Sequence, residues 1–418
     1  MLLAVAAALL CVGCSRGAPD VTVVRFWAMG REGEVVQTLL PEFERTHPGI
    51  RVDVQQLPWT AAHEKLLTAF AGDATPDICQ LGNTWIPEFV ALGALEPLDA
   101  RLAQSSIDRR DFFAGILDTN VIDGRLQGVP WYVDTRLLFY RRDLLNAAGI
   151  AEPPSSWSDW TRALAALKAR AKPGSYAILL PLNEVEPLLA LALQQDDPLL
   201  RDDGRHGNFQ SVGFRRAFDF YVGMFRDGYA PLYTASDLAN VWNEFGRGTF
   251  TFYISGPWNI GEFKRRLPPA LEGAWATAPL PGRTGPGASI AGGASLVLFR
   301  KSPVKDAAWQ LIEYLARPDV ALRFHAATGD LPPRRSAWND TALADDVHAR
   351  AFREQLERVK AAPKVPEWER ISDEMRLVAE RVARGGMSVD EAVRELASRT
   401  DRILEKRRWM LAQQRRSP

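Results

Sequence analysis

The sequence is poor in the residues that build metal sites and disulfide frameworks. Three of its 418 residues are Cys and five are His. The cysteines are Cys11, Cys14 and Cys79, and the histidines, at 47, 63, 206, 325 and 348, lack metal-ligand spacing. This composition offers no disulfide scaffold and no structural zinc motif. Neither sign of charge is in excess, because 51 Lys and Arg balance 51 Asp and Glu. A zero net charge argues against a nucleic-acid or polyanion binder. No Gly-x-Ser-x-Gly elbow and no His-Glu-x-x-His occurs, and the turn after the first strand lacks the glycines and lysine of a phosphate loop. No cofactor is expected.

Long apolar runs are also scarce. The one at the N-terminus, Leu2 to Gly13, is too short to span a bilayer and fits the apolar core of a signal peptide. Val12-Gly13-Cys14 resembles a bacterial lipobox, which implies cleavage before Cys14 and lipidation of its thiol. An uncleaved secretory signal is the alternative. Residues 1–14 are thus read as a signal peptide and 15–20 as a tether. Cys79 would then be alone, a small buried hydrophobe in Asp77-Ile78-Cys79-Gln80-Leu81.

Tryptophan is abundant, with 13 residues. Trp is large and its N–H needs a partner, so this number means either a large core or aromatic walls around a ligand. The length suggests two or three domains. Val21 to Trp27 reads as a buried strand and Gly33 to Thr46 as an amphipathic helix. Ile50 to Val54 is a second strand, Ala61 to Gly72 a second helix and Pro76 to Leu81 a third strand. This alternation predicts an α/β fold with parallel strands and crossover helices. Further strands are predicted within 127–140, 176–181, 249–254, 274–281 and 295–299. Helices are predicted at 156–172, 184–194, 212–226, 237–246 and 304–316, and from about 345 to the end.

Seven stretches, in order, resemble one family. They are FERTHPGIRVDV (43–54), TPDICQLGNTWIPEFVALGALEPLD (75–99), GVPWYVDTRLLFYRRDLL (128–145), WSDWTRALAAL (157–167), WNEFGRGTFTFYISGPWNI (242–260), GGASLVLFRKSPVKDAAWQLIEYLARPD (292–319) and TGDLPPRRSAW (328–338). Together they resemble the family 1 extracellular solute-binding proteins, the carbohydrate receptors of ABC importers, related in fold to maltose-binding protein. The resemblance implies a two-lobed periplasmic-binding-protein-like fold of type II, with a ligand cleft between lobes joined by a hinge. Lobe one would hold 20–131 plus 288–335, and lobe two 132–287 plus 336–418. It also implies a monomer, an ABC permease as partner, a lipid anchor facing the periplasm or exterior, and a di- or oligosaccharide as ligand. A polyamine or glycerol phosphate ester on the same fold is the alternative cargo. A secreted glycoside hydrolase is the alternative activity.

A sugar cleft wants flat aromatic rings for C–H faces beside carboxylates, amides or Arg for hydroxyls. Such pairs recur at strand ends, where α/β sheets present their ligands. The candidates are Trp27 and Glu32 after the first strand, Thr84 and Trp85 after the third, and Trp131 and Asp134 near the expected hinge. Gly292 and Gly293 would let backbone approach a ligand or permit a crossing turn. The resemblance places the stacking ring at Trp258, beside Asn259, and a cleft-edge residue at Arg334. Each has a plainer alternative: core packing for the tryptophans, helix-start roles for Glu32 and Asn259, a turn cap for Asp134, and a surface charge for Arg334.

Overall fold

The computed structural model describes residues 21–238 and 240–414. The apolar leader, Cys14 and the expected tether lie outside the described residues. Strands β1 (Thr22–Met29), β2 (Ile50–Leu57), β3 (Ile78–Gly82), β4 (Val129–Asp134) and β5 (Leu137–Arg141) come first along the chain. Strands β6 (Tyr176–Leu179), β7 (Phe250–Ser255), β8 (Trp275–Ala278) and β9 (Gly292–Leu298) follow. The main helices are α1 (Gly30–Thr46), α2 (Trp59–Ala71), α3 (Trp157–Arg170), α4 (Glu186–Leu193) and α5 (Val212–Arg226). After them come α6 (Trp258–Arg266), α7 (Lys305–Leu315), α8 (Pro318–Thr328), α9 (Trp368–Ala383) and α10 (Val389–Ile403).

Two separate sheets define two lobes. The first has the order β2-β1-β3-β9-β4. Its first three strands are parallel, as expected of strands joined by crossover helices, while β9 runs antiparallel to both neighbours. In β1 the alternation is visible in the residues themselves: Val24, Phe26 and Ala28 are buried while Val23 and Arg25 face out. Helix α1 packs Val36, Leu39, Leu40 and Phe43 against that inner face. Cys79 is a free, buried thiol in a second cluster with Met29, Leu57, Leu81 and Phe89. Burial alone pushes it well up, so it stays a thiol.

The second sheet has the order β8-β5-β7-β6. Helices α3, α4 and α5 pack on it, with α9 and α10 beyond. Two starts arise from capping chemistry. Ser156 Oγ accepts from the Asp159 N–H to open α3, and Ser388 and Glu391 form a reciprocal capping box at α10.

The chain leaves the first sheet at Asp134 and enters the second at Leu137, with only Thr135 and Arg136 between. It returns between Ala278 and Gly292. A third cluster spans the junction, joining Val133 and Leu331 to Phe139, Phe263, Trp275, Trp338 and Phe352. That returning segment is not wholly irregular, because Ser289–Ile290 pairs in parallel with Val359–Lys360. That short pair also interrupts the helical stretch expected from 345 onward.

Candidate functional site

A cavity of about 590 Å³ opens between the two sheets. This lies within the range of small-molecule sites. Its walls come from chain ends of both lobes. From lobe one come Glu32 on the first turn of α1, Trp59 on α2, Asn83, Thr84 and Trp85 after β3, and Tyr132 and Asp134 on β4. The second lobe supplies Glu186 on α4, Trp258 on α6, and Trp368, Glu369 and Ser372 on α9. Gly292 and Gly293 start β9, and Arg136 and Asp330 complete the walls near the junction.

Trp258 owes its pose to the break that precedes it. A Cβ on Gly256 would stand 1.9 Å from the indole Cζ3, so any other residue there would displace the ring. The Arg136 guanidinium lies 4.7 Å from the ring centroid of Trp258. Arg136 also pairs with Asp134, and with Glu186 at 3.5 Å. The arginine is therefore buried yet neutralised, and its carboxylate neighbours hold it protonated.

Glu32 sits beside the Tyr132 hydroxyl and the Trp59 indole N–H, both donors toward its carboxylate. Tyr132 is fixed in turn by Gln80 Nε2, which donates to its hydroxyl at 3.0 Å, while Gln80 Oε1 accepts from the Met29 N–H at 2.7 Å. Burial pushes the Glu32 carboxyl up, and Asp134 adds to the rise. Burial pushes Asp330 well up, with Glu32 and Asp134 adding repulsion. Asp134 is raised by burial as well, with Arg136 pulling against it. Across the cleft, Glu369 on α9 faces the Thr84 hydroxyl and Trp85 N–H of the other lobe, and its carboxyl is also raised by burial.

Seven of the eleven ligand candidates from the sequence line this cavity: Trp258, Asp134, Glu32, Thr84, Trp85, Gly292 and Gly293. The two glycines have a packing reason too. Gly293 has φ +117°, and a Cβ there would lie 2.3 Å from the Tyr132 carbonyl oxygen, so the β4–β9 pairing needs glycine. The other four candidates sit elsewhere. Trp131 is only 2% exposed and packs on Phe324 with ring centroids 4.5 Å apart. Trp27 faces away, under the ammonium of Lys65. Asn259 is buried behind Trp258, accepting from Trp242 Nε1 and donating to Ser255 Oγ, both at 2.7 Å. Arg334 is an internal clamp, donating to Asp111 Oδ2 at 2.7 Å and the Ala316 carbonyl at 3.1 Å.

Sequence reasoning missed Trp59, Arg136, Glu186, Asp330, Trp368 and Glu369. Arg136 and Asp330 lay inside the family-like stretches, two residues past Asp134 and at the end of Thr328-Gly329-Asp330. Trp368 and Glu369 carried no local sign, because only the return of α9 to the cleft brings them there. Among the described residues no group of three or more His, Cys, Asp or Glu is placed to hold a metal ion, and no helix is long and apolar enough to cross a membrane.

Residues 29–322 match the sequence profile of the bacterial extracellular solute-binding proteins. The solved sugar-binding protein MalE from Xanthomonas citri is 59% identical, covers 94% of this chain and 100% of its own, and superposes with a TM-score of 0.91. A solute-binding protein from Thermotoga lettingae, bound with α-D-tagatose, is 25% identical over 92% of this chain and 100% of its own, with a TM-score of 0.78. An uncharacterised lipoprotein of Streptomyces antibioticus is 29% identical over 86% of this chain and 83% of its own length. With a profile match over most of its length and a two-lobed architecture shared with these structures, the chain belongs to the bacterial extracellular solute-binding proteins.

Proposed function

We propose that this protein is the sugar receptor of an ABC importer. It binds a di- or oligosaccharide in the interlobe cleft, closes around it and presents it to a membrane permease. The observation that carries this reading is the facing of aromatic planes and fixed polar groups across one cavity. Trp59 and Trp85 come from one lobe and Trp258 and Trp368 from the other, with Glu32, Asp134 and Arg136 between them. Flat rings suit the C–H faces of a pyranose, while carboxylates and a guanidinium suit its hydroxyls. The highly similar Xanthomonas citri protein is itself a sugar-binding protein. Because each lobe supplies part of the lining, ligand favours the closed state and shifts the population toward it.

The protein acts by binding, not turnover. Its raised carboxyls are engaged with Tyr132, Trp59, Arg136, Thr84 and Trp85, which gives them positioning partners. A lipid on Cys14 tethers it to the cell envelope, in keeping with the lipoprotein relative. It works as a monomer. The test is a titration of the chain from residue 21 onward with a panel of disaccharides, followed by Trp fluorescence and by chromatography of the sugar. Saturable binding with unchanged sugar is expected. Hydrolysis of a panel member, or silence across the panel, would overturn the reading. For the anchor, Cys14→Ala should move the full chain from the membrane to the soluble fraction.

A further inference from the structure

The cavity has a charge excess that a neutral sugar meets through hydrogen bonds but does not balance. Its walls hold Glu32, Asp134, Glu186, Asp330 and Glu369 against one cation, Arg136. The chain as a whole is balanced, so this is a local arrangement. Arg136 is already shared by Asp134 and Glu186. Glu32, Asp330 and Glu369 form no ion pair among the described residues, and Arg31 and His63 reach Asp330 and Glu369 only as more distant charges. Closure of the lobes strips water from these three groups. An acid left there keeps a proton, leans on hydrogen-bond donors such as those beside Glu32 and Glu369, or meets a positive charge on the ligand.

A second observation limits what that cation can be. Asn83 is 5% exposed and lines the cavity; its Oδ1 accepts from Ser295 Oγ at 2.9 Å, but its Nδ2 has no hydrogen-bond partner. The buried Nε of Arg136 is likewise without one. These two donors ask for acceptor oxygens. A simple polyamine has none to offer, whereas a sugar has several. The aromatic walls add faces that suit both a pyranose ring and a cation.

We propose that the ligand is an amino sugar, or a disaccharide carrying one, whose ammonium group lies against Glu32 and Asp330 while its hydroxyls meet Asn83 and Arg136. The proposal rests on the sugar-receptor reading and narrows it. The raised carboxyls agree with it, because a cation is what would return those groups to their charged form.

The test is calorimetric titration of the soluble chain with linkage-matched pairs. These are cellobiose against the β-1,4 glucosamine disaccharide, trehalose against trehalosamine, and maltose against its 2-amino derivative. N,N′-diacetylchitobiose serves as the uncharged control and spermidine as the amine without hydroxyls. In at least one pair the amino member should bind about tenfold or more tightly than its neutral partner. Asp330→Asn and Glu32→Gln, each checked for folding by thermal melting, should shrink that ratio. A neutral member that binds as tightly as its amino partner in every pair overturns the proposal and leaves the sugar receptor standing. Spermidine binding tighter than every sugar, or no binding by any probe, overturns both.

Discussion

Trp258 is held over the cavity by the absence of a side chain at Gly256, and this makes the pair testable as a unit. Removing the ring in Trp258→Ala should weaken sugar binding by about tenfold or more, measured by calorimetry. Gly256→Ala leaves the indole in place chemically but drives it off its pose, since the new Cβ would overlap the ring. It should reproduce most of the loss, and the double variant should be no worse than the worse single one. Full affinity in Gly256→Ala would remove Trp258 from the site. Trp131 is the contrasting case. It is the same residue type, buried between Phe26, Tyr132 and Phe324. Trp131→Ala should therefore act on folding, costing about 3–5 kcal/mol in a denaturation experiment. Arg334 behaves similarly. Losing its bond to the largely buried carboxylate of Asp111 leaves that acid held only by the Ser336 N–H and hydroxyl, without its counter-charge, so Arg334→Ala should lower stability by about 1–3 kcal/mol while sugar affinity holds. An unchanged melt with weakened binding would instead put Arg334 at the cleft.

At the scale of elements, the cleft is built from ends. Strands β1, β3 and β7 each stop at a turn that delivers a side chain to the cavity, and α9 begins there with Trp368 and Glu369. The turn before α4 carries Glu184, whose carboxyl burial lifts from 4.5 to about 7, with Arg136 opposing and Glu186 and Asp134 reinforcing. Proton linkage gives the sign. The folded state binds this proton more tightly than the unfolded chain, so stability from Glu184 is greatest at low pH. It declines as pH rises from about 4.5 through about 7 and is level above. Glu184→Gln should remove that decline and raise stability at pH 8 by at most about 3 kcal/mol. Thermal melts from pH 4 to pH 8 decide it, and equal slopes in both proteins would show that Glu184 does not carry the effect.

At the scale of the molecule, the two sheets are joined by short crossings, the shortest being Thr135-Arg136 between β4 and β5. Arg136 sits in that crossing while its guanidinium lies in the cavity, so the cavity wall and the crossing between the sheets share one residue. Sugar binding should shrink the radius of gyration in X-ray scattering and, at 100 times the Kd, add about 2.7 kcal/mol of stability. Stabilisation with no change in dimensions would mean that the lobes are already closed before ligand arrives.

The α/β class, the order of strands and helices around the first sheet, and the aromatic-polar phrases at strand ends were all legible in the residues, because periodicity and turn chemistry are local. Glu32, Thr84 and Trp85 were readable for the same reason: a strand that ends at the cleft delivers its next few residues to that edge of the sheet, whereas Trp258 was placed by the family resemblance. The choice between Trp258 as a wall and Trp131 as core was not local. Both come directly after a Pro in a strand-rich phrase, and only packing decides which ring meets Phe324 and which meets the cavity. Trp368 and Glu369 were equally hidden, since nothing in a helical sequence states which distant strand end it will face. The sequence by itself determined the elements and the family pattern. The tertiary structure decided which carboxylates share one desolvated space and which share the single arginine, because charge balance in a cleft depends on proximity across lobes and not on order along the chain.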